Sequence, residues 1–225
     1  MRSSKPYSKP YSSMIAILFS ALALCSAMVL TAQPTQPGHY GIFDGSSDIG
    51  IGFPGSTTFN PYDGSFRNVG GGADMWGAAD GFHLSWVKLK GDATLSADVE
   101  FPATVPSPLA KAVVIFRQSL DPNSAYADTA IHADGHITLQ YREKKGGETA
   151  DVLSPLRGSK RIRIERHGDV FTASAQAEDG KMIPFARYTV PMTGPVFVGI
   201  GSCAHDVTKV VTVRFSNVVV ERLGN

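Results

Sequence analysis

The sequence is short of cysteine and has almost no excess of charge of either sign. Its 225 residues include two cysteines, and 21 Lys and Arg side chains balance 20 Asp and Glu side chains, for a formal net charge of +1. Such a chain lacks the basic field that draws proteins to nucleic acid or to anionic membranes. It also lacks the cysteines for a disulfide framework, so the fold must depend on a hydrophobic core.

The longest apolar run lies at the N-terminus. Residues 14–30 are apolar or small, and the segment before them is basic without a single acid. This arrangement is typical of a secretory signal peptide. Ala32, which precedes a polar and proline-rich stretch, favours cleavage at that point. We therefore predict a signal peptide at residues 1–32, one domain at residues 33–225, and a secreted or periplasmic protein.

Cleavage after Ala32 would leave no membrane span and only one cysteine, Cys203. Two alternatives stay open for the leader. Seventeen apolar residues are about the minimum for crossing a bilayer, so the run could also serve as an uncleaved anchor. Cys25 could instead carry a lipid, although Leu24 is bulky for such a site.

Helical periodicity is missing from the rest of the chain, where apolar and polar residues alternate from residue 82 onward. In RIRIER, at residues 161–166, the isoleucines share one face and the charged side chains the other. Phe82 and Leu84 alternate in the same way with His83 and Ser85, which predicts a solvated face for the latter pair. Strands are predicted at residues 82–87, 95–101, 111–119, 125–132, 136–142, 160–167, 170–177, 185–190, 196–202 and 209–220.

Turn residues separate these strands, and Asp134-Gly135 is one example. Many short strands with such punctuation predict an all-β sandwich. Residues 33–81 show few strand signals and are predicted to be loop-rich. The glycines at residues 70–72 have no following Gly-Lys-Ser/Thr to make a phosphate cradle, so we expect them to permit close backbone packing.

No catalytic or metal site follows from the spacing of reactive side chains. His132 and His136 have the i,i+4 spacing of a helical zinc motif, but the Asp-Gly pair between them predicts a turn. Cys203, with His205 and Asp206 close behind it, is predicted to be a buried thiol rather than a nucleophile. We assign no cofactor, although calcium remains a weak alternative through three oxygen-bearing side chains, Asp121, Asn123 and Asp128.

Glycoside hydrolysis needs two carboxylates that face each other across the scissile bond. Asp98 and Glu100 share one face of a predicted strand, but no third acid continues the row. Hydrolysis therefore remains an alternative and not the leading hypothesis, with Asp80 or Glu100 acting together with His83 or His205.

Several segments together resemble a secreted bacterial module of the concanavalin A-like lectin/glucanase superfamily. They are SDIG at residues 47–50, GGGADMWGAADGFH at 70–83, GDATL at 91–95, KAVVIFRQSLD at 111–121, VFVGIGSCAHD at 196–206 and FSNV at 215–218. The resemblance implies a jelly-roll sandwich of two antiparallel sheets and makes glycan binding an expectation. The acidic strand of the superfamily's hydrolases, Glu-x-Asp-x-x-Glu, is missing. The shared motifs also suggest that Asp80, His83, Arg117 and His205 meet in one polar cluster.

We therefore predict a non-catalytic module that binds an extracellular saccharide. The ring candidates for stacking on a sugar are Trp76, Tyr62 and Phe59, and Asp74 and Asn60 are the candidates for bonding its hydroxyl groups. The alternatives are a glycoside hydrolase-like enzyme and an interaction or structural domain that contacts an envelope component.

Overall fold

The computed structural model describes residues 41–224, which form sixteen strands. In chain order they are β1 (Gly45–Ile49), β2 (Ser56–Asn60), β3 (Ser65–Gly70), β4 (Met75–Trp76), β5 (Ala79–Asp80), β6 (Phe82–Leu89), β7 (Ala93–Glu100), β8 (Lys111–Arg117), β9 (Tyr126–His132), β10 (His136–Arg142), β11 (Ala150–Arg157), β12 (Arg161–His167), β13 (Val170–Gln176), β14 (Met182–Thr189), β15 (Val196–Cys203) and β16 (Val211–Arg222). The predicted signal peptide and Cys25 lie outside the described residues.

Two seven-stranded antiparallel sheets make up the sandwich. Sheet 1 has the order β1-β6-β15-β8-β9-β10-β11, and sheet 2 has the order β14-β13-β12-β7-β16-β3-β2. The short strands β4 and β5 pair only with each other, as a hairpin. This is the all-β jelly-roll architecture that the sequence predicts. Residues 41–224 include no helix of the length and apolarity that crossing a membrane requires.

The main hydrophobic core fills the space between the sheets. Leu95 and Ala97 of β7 and Ile162 and Ile164 of β12 are fully buried there, as their alternation predicts. A smaller apolar cluster covers the opposite face of sheet 1, which we call the outer face. In this cluster Met75 of the hairpin packs with side chains of the sheet. The outer face of sheet 1 is therefore partly roofed by the β4–β5 hairpin.

The prediction for residues 33–81 is wrong in part, because β1, β2, β3 and the hairpin lie there. The expectation of close backbone packing at the glycines of residues 70–72 is confirmed. A Cβ atom on Gly70 would lie 1.8 Å from the carbonyl oxygen of Ser202, and one on Gly72 would lie 1.9 Å from that of Gly81. Gly72 also has φ of 101°, a conformation that side-chain-bearing residues rarely adopt.

The predicted solvated face of β6 is also wrong. His83 and Ser85 point into the sandwich and are buried, whereas Phe82 and Leu84 belong to the smaller cluster on the outer face. Both sides of β6 are thus covered, and polar partners from sheet 2 make burial of its polar side tolerable. Polar and apolar side chains do alternate along β6, but this alternation does not indicate which face of the strand meets water.

Candidate functional site

The β4–β5 hairpin lies on the outer face of sheet 1 and carries the exposed side chain of Trp76. Its two-residue turn, Gly77-Ala78, is allowed by the positive φ of 57° at Gly77. The hairpin is too short to be stable alone, so its position depends on bonds to the sheet beneath it. Two sets of buried polar contacts supply those bonds.

The first set joins the end of the hairpin to two arginines. Asp80 Oδ2 lies 3.0 Å from Arg117 Nη1 on β8, and Asp80 Oδ1 lies 2.7 Å from Arg142 Nη2 on β10. All three side chains are fully buried. Burial lowers the pKa of Arg117, and the negative charge of Asp80 opposes this shift. Arg142 Nη2 also donates to the carbonyl of Gly77, at 3.0 Å, so the guanidinium holds both the turn and the end of the hairpin.

The second set fixes the start of the hairpin through Lys111. The Lys111 ammonium forms an ion pair with Asp74 and lies 3.4 Å from the carbonyl oxygen of Met75. The Tyr126 hydroxyl donates to the same carbonyl, at 3.3 Å. Burial raises the pKa of Tyr126 well above its ordinary value, so this donor keeps its proton. The hairpin is consequently held at both ends by buried side chains of sheet 1.

Trp76 lies between these anchors and remains 43% exposed. Lys111 Nζ is 5.8 Å from the centre of the indole, within the range of a cation–π contact. His205, which follows β15, places Nε2 3.2 Å from Asp74 Oδ2. The backbone of His205 is left-handed, with φ of 56°, a conformation uncommon for residues other than glycine. We refer to Asp74, Trp76, Lys111 and His205 together as the Trp76 platform.

Next to this platform, polar side chains line up across two neighbouring strands. We call Asp128 and His132 of β9 and Thr138 and Gln140 of β10 the polar row. The register pairs Lys111 with His132 and Asp128 with Gln140. All four side chains are at most 5% exposed. Within residues 41–224 no hydrogen-bond partner exists for either carboxyl oxygen of Asp128, either ring nitrogen of His132, the Thr138 hydroxyl or Gln140 Oε1.

Burial disfavours the charged forms of the two ionisable members of the polar row. It raises the pKa of Asp128 well above its ordinary value, although Lys111 acts in the opposite direction. It lowers the pKa of His132 to about 3, and the charge of Lys111 adds to that shift. His132 also stacks on His136, with ring centres 3.6 Å apart. The imidazole of His132 is therefore uncharged at neutral pH.

Of the four residues predicted to form one polar cluster, the structure brings Asp80 and Arg117 together. His205 contacts Asp74 on the platform instead. His83 lies between the sheets, with Nδ1 2.7 Å from Asp48 Oδ1 and Nε2 3.0 Å from Thr57 Oγ1. Thr57 also bonds Ser85 and Asn68, so this second network ties β2 and β3 to β6.

The predicted ligand residues fall into two groups. Trp76 and Asp74 share the platform, whereas Phe59, Asn60 and Tyr62 lie at the end of β2, on the edge of sheet 2. Phe59 packs on Phe66 with ring centres 4.9 Å apart, and Asn60 Oδ1 accepts from the backbone N–H of Tyr62 in the turn. Tyr62 itself is 98% exposed. Phe59 and Asn60 thus already have structural contacts.

The residues weighed for calcium have separate surroundings. Asp121 Oδ2 lies 2.6 Å from Lys145 Nζ in a loop, while Asp128 belongs to the polar row. In the part of the chain that the structure describes, no three His, Cys, Asp or Glu side chains are grouped as metal ligands. The Asp134-Gly135 turn places His136 on the strand after His132, as its sequence predicts.

The reactive residues weighed for catalysis also have other roles. Cys203 is buried, and burial raises the pKa of its thiol to about 12, so it is the buried thiol that the sequence predicts. Both oxygens of Asp80 are occupied by arginine. Asp98 lies 2.6 Å from Arg161 Nη1, and Glu100 lies 3.4 Å from Arg214 Nη1, on sheet 2. These carboxylates are engaged in ion pairs.

Sequence reasoning missed Lys111, Arg142 and the polar row as site residues. A signal was present in KAVVIFR, at residues 111–117, where the face shared by Lys111, Val113, Ile115 and Arg117 is apolar in the middle and cationic at both ends. Cations on a fully buried strand require buried partners. Which partners they find depends on the hairpin and on strand register, and neither could be deduced from the pattern.

No family model matches the sequence, and no curated protein matches it either. The structure is similar to a functionally unknown protein from Saccharomyces cerevisiae, with 17% identity, a TM-score of 0.56, and coverage of 76% of this chain and 97% of that one. It is also similar to the carbohydrate-binding module CBM66 from Bacillus subtilis, with 15% identity, a TM-score of 0.51, and coverage of 77% and 98%.

A third similar structure is the GH43 protein BlXynB from Bacillus licheniformis, with 8% identity and a TM-score of 0.50. The match covers 77% of this chain but 38% of that one. At these identities the likeness shows the fold alone. The described chain has the fold of a jelly-roll sandwich of two antiparallel sheets, so the fold implied by the sequence resemblance is confirmed.

Proposed function

We propose that this protein is a non-catalytic module that binds an extracellular saccharide at the Trp76 platform. The observation that carries the proposal is an indole that stays exposed on a hairpin whose two ends form ion pairs with buried cations of sheet 1. Sugar rings present apolar C–H faces that stack on such a ring, and a ring that is already fixed loses little entropy on binding. The anchoring of the hairpin that carries Trp76 therefore favours a binding role.

Polar neighbours of Trp76 suit the remaining needs of a sugar ligand. Asp74 supplies carboxylate oxygens and His205 an imidazole, both about 30% exposed and 3.2 Å from each other. Such groups accept and donate hydrogen bonds to hydroxyl groups at the rim of an aromatic platform. A fold shared with a protein described as a carbohydrate-binding module supports the same proposal. Fold likeness alone would not establish it.

The location follows from the proposed signal peptide at residues 1–32, with residues 33–225 as the mature domain. Secretion or export to the periplasm would place the platform where polysaccharides are found. The partner would be a saccharide or an envelope component that carries one.

The test is a glycan and polysaccharide array probed with the purified protein, once with calcium and once with chelator. Burying a large apolar side chain contributes about 1.5–3 kcal/mol, so Trp76→Ala should weaken binding about tenfold to a hundredfold. Tyr62→Ala is the matched control, because it removes an exposed ring from sheet 2. We expect it to bind like the unmodified protein.

Other outcomes would contradict the proposal. Equal binding by Trp76→Ala would remove the platform as the site, and a loss confined to Tyr62→Ala would move the site to sheet 2. Silence across the array with folded protein would favour an envelope interaction domain, which pull-down from envelope extracts would detect. Release of reducing sugar from any bound polysaccharide would favour the hydrolase alternative.

A further inference from the structure

Two tyrosines lie against each other at the open side of the sandwich, where the edge strands β11 and β14 of the two sheets meet. Tyr141 is on β10 of sheet 1, and Tyr188 is on β14 of sheet 2. Their rings stack with centres 3.6 Å apart and planes inclined by 20°. Aromatic pairs usually keep their ring centres about 4.5–7 Å apart. The contact between the two sheets at this point is therefore unusually close.

The two hydroxyl groups lie at the same end of this stack. The Tyr188 hydroxyl donates to Glu143 Oε1 at 2.6 Å. Hydrogen bonding to Glu143 and to the Tyr141 hydroxyl raises the pKa of Tyr188 above its ordinary value, so Tyr188 keeps its proton at neutral pH. In each ring, the ortho carbons flank the carbon that bears the hydroxyl. Because the rings are stacked with their hydroxyls together, ortho carbons of one ring face those of the other.

The tyrosine pair can be reached from solvent. Tyr188 and Glu143 line a surface cleft of about 640 Å³, together with Arg187 of the same edge strand. The rings of Tyr141 and Tyr188 are half-buried against the main core, and Glu143 is exposed. Tyr126, in contrast, is fully buried. A small oxidant can therefore meet the pair without any opening of the fold.

The surroundings of Tyr188 favour loss of an electron. A phenol gives up an electron more readily when a hydrogen-bonded base takes its proton in the same step, and Glu143 is such a base for Tyr188. Loss of one electron and one phenolic proton from each ring gives two tyrosyl radicals. A bond between one ortho carbon of each radical joins the rings, and the hydrogens on those carbons move to the oxygens and restore both phenols. Hydrogen peroxide accepts the two electrons and two protons and becomes two molecules of water.

We propose that Tyr141 and Tyr188 are a modification site, at which a one-electron oxidant driven by hydrogen peroxide joins the two rings as dityrosine. The cross-link ties β10 of sheet 1 to β14 of sheet 2 across the open side of the sandwich. Cys203 is the only cysteine of residues 41–224, so no disulfide within these residues can do this. The site is separate from the Trp76 platform on the outer face of sheet 1, and the inference does not depend on saccharide binding.

Treatment of the purified protein with a haem peroxidase and limiting hydrogen peroxide tests the proposal. Peptide mass spectrometry should find residues 141 and 188 in one cross-linked peptide, from a monomer that has lost two hydrogen atoms and has gained dityrosine fluorescence. Tyr141→Phe and Tyr188→Phe keep the rings but should not form this product. Tyr62→Phe is the matched control, because Tyr62 is 98% exposed, and it should form the product as the unmodified protein does.

Glu143→Gln tests the base. This variant keeps a hydrogen-bond acceptor for Tyr188 but cannot take its proton as readily, so the cross-link should form at least threefold more slowly. Equal rates in Glu143→Gln and the unmodified protein would overturn the role of Glu143.

Thermal unfolding tests whether the cross-link ties the sheets together. It closes a loop of roughly 50 residues, for which the loss of chain entropy in the unfolded state predicts a Tm higher by about 10 °C. Tyr141→Phe treated in the same way corrects for oxidation of other side chains. A cross-linked protein with the Tm of this control would overturn the stabilising role.

Two outcomes of the peroxidase experiment would overturn the proposal itself. One is oxidation that joins separate molecules through Tyr62 while Tyr141 and Tyr188 stay unmodified. The other is an unchanged yield of intramolecular dityrosine in Tyr188→Phe, which would place the cross-link elsewhere in the chain. Neither outcome bears on the glycan array, so this inference and the proposed function fail or stand separately.

Discussion

Replacing Asp80 with Asn tests how the hairpin is held. The change removes one carboxylate that contacts two fully buried guanidinium groups, those of Arg117 and Arg142. Removing one partner of a buried ion pair costs about 3–5 kcal/mol, because a charge stays buried without compensation. Two arginines lose a partner, but backbone carbonyls still accept hydrogen bonds from both of them. We therefore expect a total loss of free energy within this range, and not twice as large.

A loss of this size is a large part of the stability of a typical domain, which is about 5–15 kcal/mol. Urea unfolding followed by circular dichroism should show it directly. For a domain of this length, about 2–4 °C of Tm per kcal/mol corresponds to a decrease of roughly 6–20 °C for Asp80→Asn.

Asp98→Asn is the matched control, since Asp98 pairs with Arg161 at a partly exposed site on sheet 2. Pairs near the surface contribute about 0–1 kcal/mol. If the two Asp→Asn variants lose equal and small amounts of free energy, the buried contacts of Asp80 do not anchor the hairpin.

Two further predictions concern buried ionisable groups. The pKa of His132 is lowered from 6.5 to about 3, so below pH 6.5 the unfolded chain binds a proton that the folded chain does not, and stability must fall as the pH falls. Between pH 7 and pH 4.5 this contributes about 2.5 kcal/mol. The decrease in the free energy of unfolding over that pH range, measured by urea unfolding, should therefore be smaller by about this amount in His132→Gln. An equal decrease in both proteins would contradict the pKa assigned to His132. Cys203 is buried, and burial raises the pKa of its thiol to about 12. In a Cys25→Ser variant, where Cys203 is the one remaining cysteine, a thiol reagent at pH 8 should therefore label Cys203 only in denaturant. Rapid labelling of the folded protein would refute this prediction.

Most of the strands after residue 81 could be predicted because their apolar side chains alternate and enter one core. Ile162 and Ile164 of β12 show this plainly. The strands β2 and β3 could not be predicted, because Thr57 and Asn68 are polar residues buried between the sheets. They form hydrogen bonds with one another and with Ser85 and His83, so burial there leaves no hydrophobic pattern.

The edge strand β11 was missed for a different reason. It is largely exposed and contains Pro155, which an edge strand accepts but which argues against a strand in the sequence. For the site, Trp76 and Asp74 were identifiable from local chemistry in a single segment. The polar row was not, because Asp128, His132 and Gln140 become neighbours only through the register of β8, β9 and β10.

The central claim is that a saccharide stacks on Trp76, and the indole N–H signals in a nitrogen–proton NMR spectrum test it most directly. The chain has two tryptophans, and Nε1 of Trp86 donates to Ser47 at 3.1 Å. During titration with the best ligand from the array, the Trp76 signal should move and saturate while the Trp86 signal stays in place. Saturable binding with an unmoved Trp76 signal would contradict the account.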